Sequence, residues 1–542
     1  MFIEQIDISG FKGISQLSLK LNASSSVLMG ENRWGRSSLI SALQLLSLDN
    51  TFYQFVDSDF YHDQYQCYGD NIIIKITYCQ SHLHELNNQD YQPLRSVSYQ
   101  SHQDNLHRIT YQISANKHDN QIITQHKLLN AQGNPFNIEN EKLLIATLIK
   151  LNPVMTLKNA INPEQLTVTN EPLSEHYISQ LSNQLKAHSA ELTQDELARG
   201  LQAARSLLEY YFVDQAHRNH YKQKNAKSTP RSEDWNVLEQ INDVLDNLDN
   251  DYLRTVFLGI FGSIIDAKGN YSLSQSSMPI LILEEPESLL HPIILSVAFR
   301  LLKNFPTQKI ITSNSSDLVS LFSLENLYRL IRLPDKIIAK YIEPYSLSVS
   351  DNRRIAFHIL YRRSNALFAR CWLLVEGETE VWLLRELAEQ SGYHLSSEGV
   401  QLIEFAQCGL KPLIKYANKM GIHWYVITDG DMAGKKYADT VKSLCGEDKN
   451  PNDYLTVLPA RDIENFLFKH GFSHVYKLAA YNTTQHIDLP VHQIIQKAIH
   501  KSSKPDLAIA ICDDAKSRGI NAIPRLLMDT FSRIISSSKG LV

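Results

Sequence analysis

The run Trp424-Tyr-Val-Ile-Thr-Asp-Gly-Asp-Met-Ala-Gly434 constrains this chain more than any other stretch. Residues 424–428 are apolar with a β-branched centre, the pattern of a short buried strand. The strand ends in Asp429-Gly430-Asp431, and Gly434 then opens a helical stretch. Two carboxylates one residue apart, at the carboxyl end of a buried strand, reach the same crevice. A second apolar run, residues 371–375, leads into Glu376-Gly-Glu-Thr-Glu380 and a helical stripe of Val381, Leu384 and Leu387. If the two strands are neighbours, Glu376, Glu380, Asp429 and Asp431 converge. Carboxylates about 4 Å apart repel by roughly 4 kcal/mol at an effective dielectric of about 20. Packing would not select four of them without a cation, and Mg²⁺ or Mn²⁺, which prefer oxygen ligands, is the expected one.

Leu-Leu-Val-Glu-Gly-Glu-Thr-Glu followed by Asp-Gly-Asp resembles a Toprim domain, the metal-binding module of type IA and II topoisomerases, bacterial primases and several nucleases. The surrounding pattern fits it. Leu402-Ile-Glu-Phe405, a helix near 410–420, the Asp429 strand, a helix over 434–444 and Tyr454-Leu-Thr-Val-Leu458 alternate as β and α, which implies a parallel sheet. The last strand runs into Arg461-Asp462-Ile-Glu464, and Lys504 opens a late helix. A lysine there is either a point charge for a phosphate oxyanion or a plain surface residue.

Composition narrows the class. The chain has 542 residues, enough for two or three domains, and a net charge of −5, so a nucleic-acid surface must be a local patch. Six cysteines are scattered without a C-x-x-C pair, which argues against a zinc module and a disulfide framework and fits a reducing cytoplasm. No basic-then-apolar leader and no spanning apolar run is present, so a cytoplasmic protein with no membrane segment is expected. A primase usually brings a zinc module. A topoisomerase needs strand-passage gates for which the chain has no room.

The first half carries a second site. A hairpin pattern (Ile6 and Ile8, then Leu17, Leu19 and Leu21) precedes the buried run Val27-Leu28-Met29. Gly30-Glu-Asn32-Arg-Trp-Gly35-Arg36-Ser37-Ser38 follows, then a helical stripe of Leu39, Ala42, Leu43 and Leu46. Strand, glycine loop and helix are the context of a P-loop, with Ser37 holding Mg²⁺ and backbone N–H groups cradling phosphates. The usual lysine is Arg36, a planar fork rather than a compact ammonium, so nucleotide binding should survive better than hydrolysis. Pro279-Ile-Leu-Ile-Leu-Glu284-Glu285 reads as a Walker B strand, with Glu284 supporting the Mg²⁺ shell and Glu285 orienting or deprotonating water. The next strand covers 309–312.

Between these motifs, residues 51–165 contain strand-like pieces (72–76 and 109–113) of an antiparallel lobe. His82, His84, His102, His107, His118 and His126 lack zinc spacing and read as solvated surface. Residues 171–266 turn helical around a basic loop at 222–231, as an arm, an oligomer contact or an intrachain core. In 346–370, Arg353, Arg354, Arg362, Arg363 and Arg370 alternate with Phe357, Tyr361 and Phe368 without any acid after Asp351. That pattern suits a nucleic-acid backbone or interdomain packing.

The P-loop, Walker B strand and intervening insertion resemble the ABC-type heads of the SMC and RecF group. Two departures stand out: no LSGGQ-like signature precedes Glu284, and Asn314 stands where the switch histidine is usual. The expected architecture is α/β. It comprises a split ABC-type (SMC/RecF-like) ATPase head with a helical insertion, then a C-terminal Toprim domain with a mainly parallel sheet. The expected parts are 1–165 and 267–345 for the head lobes, 166–266 for a helical dimerisation arm, 346–370 for a basic linker and 371–542 for the Toprim domain.

A split head followed by Toprim in one chain resembles the OLD (overcoming lysogenisation defect) family of ATP-dependent nucleases. The resemblance implies metal-dependent cleavage of DNA, a regulating head that forms a homodimer, and, in some relatives, phage defence; DNA repair is the other setting expected. Two ions roughly 3.5–4 Å apart would clamp an in-line displacement. By the family match, Glu376, Asp429 and Asp431 hold one ion, Glu380, Asp462 and Glu464 hold the other, and Lys504 neutralises the scissile phosphate. ATP would sit on Gly30, Asn32, Gly35, Arg36, Ser37 and Ser38, facing Glu284, Glu285 and Asn314. The alternative is a nucleotide-dependent DNA-binding scaffold with a silent Toprim half. If the chain alone cleaves nothing, an activator protein is the further partner expected.

Overall fold

The computed structural model describes residues 1–31, 34–62, 69–101, 104–118, 121–157, 276–289, 295–296, 299, 307–446, 450–485 and 488–539. The helical arm expected at 166–266, and Asn32 of the P-loop, lie outside these residues. Two compact units emerge, Met1–Phe322 with Asn326–Ala339, and Lys340–Val542 with Ser323–Glu325.

The first unit contains two sheets. One runs through β1 (Phe2–Phe11), β2 (Ile14–Lys20), β4 (Asn71–Cys79), β5 (Tyr99–Gln100), β6 (His107–His118) and β7 (Gln121–Leu129). Its order is β2-β1-β4-β6-β5, with β7 also on β6. The pairs are antiparallel, as the alternation at Ile6/Ile8 and Leu17/Leu19 predicts.

The other sheet has the order β12-β11-β3-β10-β9-β8. Its strands are β3 (Ser25–Met29), β8 (Val154–Leu157), β9 (Ile280–Glu284), β10 (Gln308–Thr312), β11 (Leu327–Arg332) and β12 (Ile337–Tyr341). The pairings β11–β3, β3–β10, β10–β9 and β9–β8 are parallel. β3 and β10 are buried along their whole length, as inner strands of a parallel layer are. Gln308 joins the two sheets: its Nε2 donates to the carbonyls of Ile3 (2.8 Å) and Asn22 (2.9 Å), and its Oε1 accepts from Ile3 N–H (2.8 Å). β10 separates the P-loop strand from the Walker B strand, so all three loops open at one edge. Strand β8 was not foreseen in the sequence; Val154-Met-Thr-Leu157 is too short to show a period. The unit also carries α1 (Arg36–Gln44), α2 (Glu141–Leu151) and the short α3 (Ser316–Ser320).

The second unit is built on a parallel sheet of order β14-β13-β15-β16. The strands are β13 (Cys371–Val375), β14 (Val400–Glu404), β15 (His423–Thr428) and β16 (Leu455–Val457). Around it lie α5 (Glu378–Gln390), α6 (Leu410–Met420), α7 (Met432–Leu444), α8 (Ile463–Leu467), α9 (Ser473–Tyr481), α10 (Val491–Ser502), α11 (Lys504–Arg518) and α12 (Arg525–Lys539). Leu384 and Leu387 of α5, Ile511 of α11, and Phe531 and Ile534 of α12 meet the sheet in one apolar core. These are the split head and the mainly parallel Toprim sheet that the sequence led us to expect.

Residues 346–370, expected as a linker, fold as part of the second unit. They form α4 (Val349–Ile355), a π-helical turn (Ala356–Leu360) and a 3-10 turn (Ser364–Phe368). Trp372 of β13 ties them down. Its fully buried ring stacks on Tyr416 of α6 (centroids 5.9 Å apart), and its Nε1–H donates to the Ala366 carbonyl at 2.8 Å. Truncating a buried tryptophan typically costs about 3–5 kcal/mol. Trp372→Ala should therefore lose stability of that order in urea unfolding, and a loss below about 1 kcal/mol would contradict this anchoring.

Candidate functional site

Parallel pairing aligns the carboxyl ends of the strands. β13 and β15 run side by side with Cys371 opposite His423 and Leu374 opposite Val426, and β16 pairs β15 with Thr456 opposite Ile427. Glu376 leaves β13, Asp429 and Asp431 leave β15, and Asp462 follows β16 at the same edge. Glu376, Asp429, Asp431 and Asp462 therefore arrive at one edge, the usual ligand position of an open parallel sheet.

Local chemistry fixes each one. Asp431 caps α7, its Oδ1 accepting from Gly434 N–H at 2.7 Å. Asp462 caps α8, accepting from Asn465 N–H (2.7 Å) and Nδ2 (2.8 Å) through the same Oδ1. Each aspartate thus commits one oxygen to a helix N-terminus and keeps the other. Helix α7 starts at Met432, two residues before the predicted Gly434. The glycines have a steric reason to be there: a Cβ on Gly430 would strike the Leu458 and Ala460 carbonyls, and one on Gly434 would strike the Asp429 carbonyl. Glu380, in the first turn of α5, accepts the Glu376 N–H through Oε2 at 3.1 Å. Glu464 holds Lys504 Nζ on Oε1 at 2.7 Å.

The electrostatics are those of crowded, incompletely compensated carboxylates. Burial, then Glu380, Glu376, Asp462 and Glu464, push Asp429 up to about 8. Burial, with Glu376 and Glu464, pushes Glu380 up to about 7 against the opposing backbone N–H groups. Burial and Asp431 raise Glu376, and Lys504 partly opposes them. For Lys504 burial is the largest single influence and favours the neutral amine. Glu464, Glu380 and Asp462 outweigh it and hold the ammonium above the ordinary lysine value.

One buried oxygen, Glu376 Oε2, has no hydrogen-bond partner. An orphaned carboxylate oxygen among raised acids, in an all-oxygen donor set, is the environment a hard divalent cation fits. As placed, no three His, Cys, Asp or Glu side chains among the described residues close at ligating distances; the set is open, as mutually repelling carboxylates should be. Tyr437, not singled out in the sequence, belongs here. Burial and the neighbouring Glu376 and Asp431 raise its hydroxyl, and a lone tyrosine within a helix offered no signal in the sequence. Tyr476 joins Gly377, Glu380, Glu464 and Lys504 around a small pocket beside the acids.

In the first unit Gly35 precedes α1 in the left-handed region (φ 85°) and Ser37 is exposed at the helix start. Gly30 ends β3. Ser38 Oγ accepts the Gly13 N–H at 3.1 Å and so has a packing role. Arg36 turns inward, 4% exposed, donating Nη1 to the Ser313 carbonyl and Nη2 to Glu285 Oε1, both at 3.1 Å. Asn314 Nδ2 donates to the same Glu285 oxygen at 2.8 Å. The Asn314 N–H and Ser313 Oγ donate to Glu287 Oε1 at 2.7 and 3.0 Å. Glu285 has a positive φ of 41°, a strained backbone for a glutamate. Glu284 points to solvent at the end of β9. Burial lowers Arg36 against the pull of Glu285, Glu287 and Glu284. Arg36, Glu285 and Asn314 therefore meet, and the arginine is engaged by the residue expected to act on water.

Two family models match the chain. The family described as "Protein of unknown function (DUF2813)" matches residues 1–366, and "Overcoming lysogenization defect protein-like, TOPRIM domain" matches residues 367–431. The Escherichia coli (strain K12) protein "Uncharacterized protein YbjD" is 39% identical over 552 residues, covering 100% of both chains. Among solved structures, the C-terminal region of the Burkholderia pseudomallei OLD protein is 19% identical, covering 32% of this chain and 99% of that one, with a TM-score of 0.27. The SMC head domain from Thermotoga maritima is 10% identical, covering 63% and 100%, with a TM-score of 0.32.

The raised acids set a pH dependence. A carboxyl held above its unfolded value is protonated in the folded chain while already ionised in the unfolded one. Its contribution is complete below the ordinary carboxylate range and is lost as pH rises through about 8 for Asp429 and about 7 for Glu380. In chelator, the thermal midpoint should fall between about pH 5 and about pH 9, and less steeply in Asp429→Asn. Mg²⁺ should restore more stability at the alkaline end, where no proton competes. Identical pH profiles for the two proteins would refute the cluster's electrostatics.

Proposed function

The chain belongs to the DUF2813 family of OLD-like proteins, an ABC-type head followed by a Toprim domain, and from that premise we propose that it is a metal-dependent DNA endonuclease. The observation that carries the reading is the convergence of acids from three adjacent strand ends with an orphaned Glu376 oxygen among them. Divalent ions bound there supply charge for the scissile phosphate and a water that is deprotonated near neutral pH.

The chain's own residues do the rest. Glu376, Asp429 and Asp431 hold one Mg²⁺ or Mn²⁺, and Glu380, Asp462 and Glu464 hold the other. Asp431 and Asp462 are fixed by the helices they cap, so their second oxygens are oriented before a ligand arrives. Lys504 brings an ammonium to the Glu464 side, where it can be shared with a non-bridging phosphate oxygen. Tyr437, beside Glu376 and Asp431, is placed to donate its hydroxyl to the same group.

The head binds ATP and regulates the Toprim half, on Gly30, Asn32, Gly35, Ser37 and Ser38 with Glu284 in the Mg²⁺ shell. Glu285 is held by Arg36 and Asn314, so hydrolysis is slow. This favours nucleotide as a bound signal rather than a fuel, and it is also what the DNA-binding scaffold reading would need. The protein works as a homodimer through the head, in phage defence or DNA repair, with an activator protein as a further partner where one is required. A monomeric mass in light scattering with and without ATP would refute the dimer.

Purified protein should nick supercoiled plasmid in Mg²⁺ or Mn²⁺ and not in EDTA, and Asp429→Ala should reduce nicking to background while melting as a folded protein. Wild-type nicking by that variant refutes the site; DNA binding with no cleavage in any metal favours the scaffold. Phosphate release from ATP should be slow in the wild type and several-fold faster in Arg36→Lys, which frees one hydrogen bond to Glu285. Unchanged or slower release would contradict the restraint by Arg36.

A further inference from the structure

The outer face of α4 and the π-helical turn after it has no part in the reading above. Its inner side, Ile355, Ile359 and Leu360, is buried. The outer side exposes Arg353, Arg354 and Arg362 together with Phe357 (52% exposed) and Tyr361 (64%). Arg353, Phe357 and Tyr361 follow at intervals of four and share a face. The Arg362 guanidinium lies 5.0 Å from the Phe357 ring centroid, and the His358 ring meets that ring edge-on at 5.0 Å. Among the described residues none of Arg353, Arg354 and Arg362 has a carboxylate partner, and no acid occurs in residues 352–375. The field of Arg362, Arg363 and Arg354 adds to burial in lowering His358.

This face is tied to the edge of the sheet that bears the acids. Arg363 is ion-paired with Glu404, the last residue of β14. Glu404 lies opposite Val375, one residue before Glu376. The Ala406 N–H donates to the Glu376 carbonyl at 3.2 Å, and Arg354 Nη1 lies near Gly409 at the start of α6.

Exposed guanidiniums without acids are complementary to a polyanion. Two exposed rings beside them are complementary to flat, apolar faces, which bases offer once they are unstacked. A duplex keeps its base faces inside the stack and would use only the arginines. We propose that this face binds single-stranded DNA, with bases stacked on Phe357 and Tyr361 and phosphates on Arg353, Arg354 and Arg362, and leads it to the acid cluster. The last clause rests on the nuclease reading; binding itself does not.

Fluorescence anisotropy of the full chain in EDTA tests it without cleavage. The probes are an oligothymidine of roughly 20 nucleotides, longer than common single-strand site sizes, and a duplex of equal length. The wild type should prefer the single strand. Phe357→Ala with Tyr361→Ala should weaken oligothymidine binding about tenfold or more and leave duplex affinity unchanged. Phe357→Trp with Tyr361→Phe should retain it. Arg353→Ala with Arg354→Ala should weaken both probes and flatten the oligothymidine salt slope by about 1.4, at about 0.7 per phosphate. If the aromatic pair melts early, Tyr361→Ser alone serves as the variant.

Unchanged oligothymidine affinity in a folded aromatic variant overturns the proposal, as does parallel loss of duplex and single strand. So does a wild type that binds neither, which would turn the face over to a protein partner. Asp429→Ala should bind oligothymidine like wild type. Absence of cleavage by the wild type, with the aromatic dependence intact, would then sink the nuclease reading alone.

Discussion

Repulsion among carboxylates held at one edge of a parallel sheet is the constraint on which the second unit turns. Strands β13 and β15 pair in parallel because both are apolar and buried, the short edge strand β16 pairs alongside β15, and that pairing leaves their acidic carboxyl ends no choice of direction. Core formation therefore works against the site's own electrostatics. The fold spreads the cost. Asp431 and Asp462 place one oxygen each on a helix N-terminus, Glu380 takes a backbone N–H, and Lys504 partners Glu464. What these contacts leave uncompensated is Glu376 Oε2 and the raised Asp429.

The head resolves a similar crowding by the opposite means. Glu284, Glu285 and Glu287 also gather at the end of a buried parallel strand, but there a guanidinium from the neighbouring P-loop reaches across to them. A permanent internal cation satisfies Glu285 and removes the freedom it would need to act on water. A lysine at the same position is a point charge that follows a phosphate; the arginine fork takes Ser313 and Glu285 simultaneously and stays. The second unit thus leaves its acids without a permanent cation, whereas the head ties Glu285 to an arginine.

Much of this was legible in the chain. The runs at 371–375 and 424–428 announce buried strands, and Asp-Gly-Asp and Glu-Gly-Glu-Thr-Glu announce acids at their ends. The P-loop and Walker B strands are equally plain, as is the substitution at Arg36. Strand β8 was not visible because four residues show no period. The π-helical turn in 346–370 was missed for a different reason: Arg and aromatic residues alternating along a sequence look the same in a tether and in an anchored helix. The Trp372–Ala366 hydrogen bond and the Trp372–Tyr416 stack distinguish the two. Tyr437 escaped because a lone tyrosine in a helix has no local signature.

The sequence by itself determined the inventory. Strand periods, the glycines at 430 and 434, the order of acids and the arginine at 36 are local facts, written in neighbouring residues and readable through sterics and charge. Tertiary structure decided the pairings. Whether Glu376 would face Asp431, whether Arg36 would meet Glu285, and whether Phe357 and Tyr361 would face water all depend on which strands become neighbours. Those contacts join residues tens to hundreds of positions apart, and they are chosen by burial of the whole core rather than by any stretch of the chain.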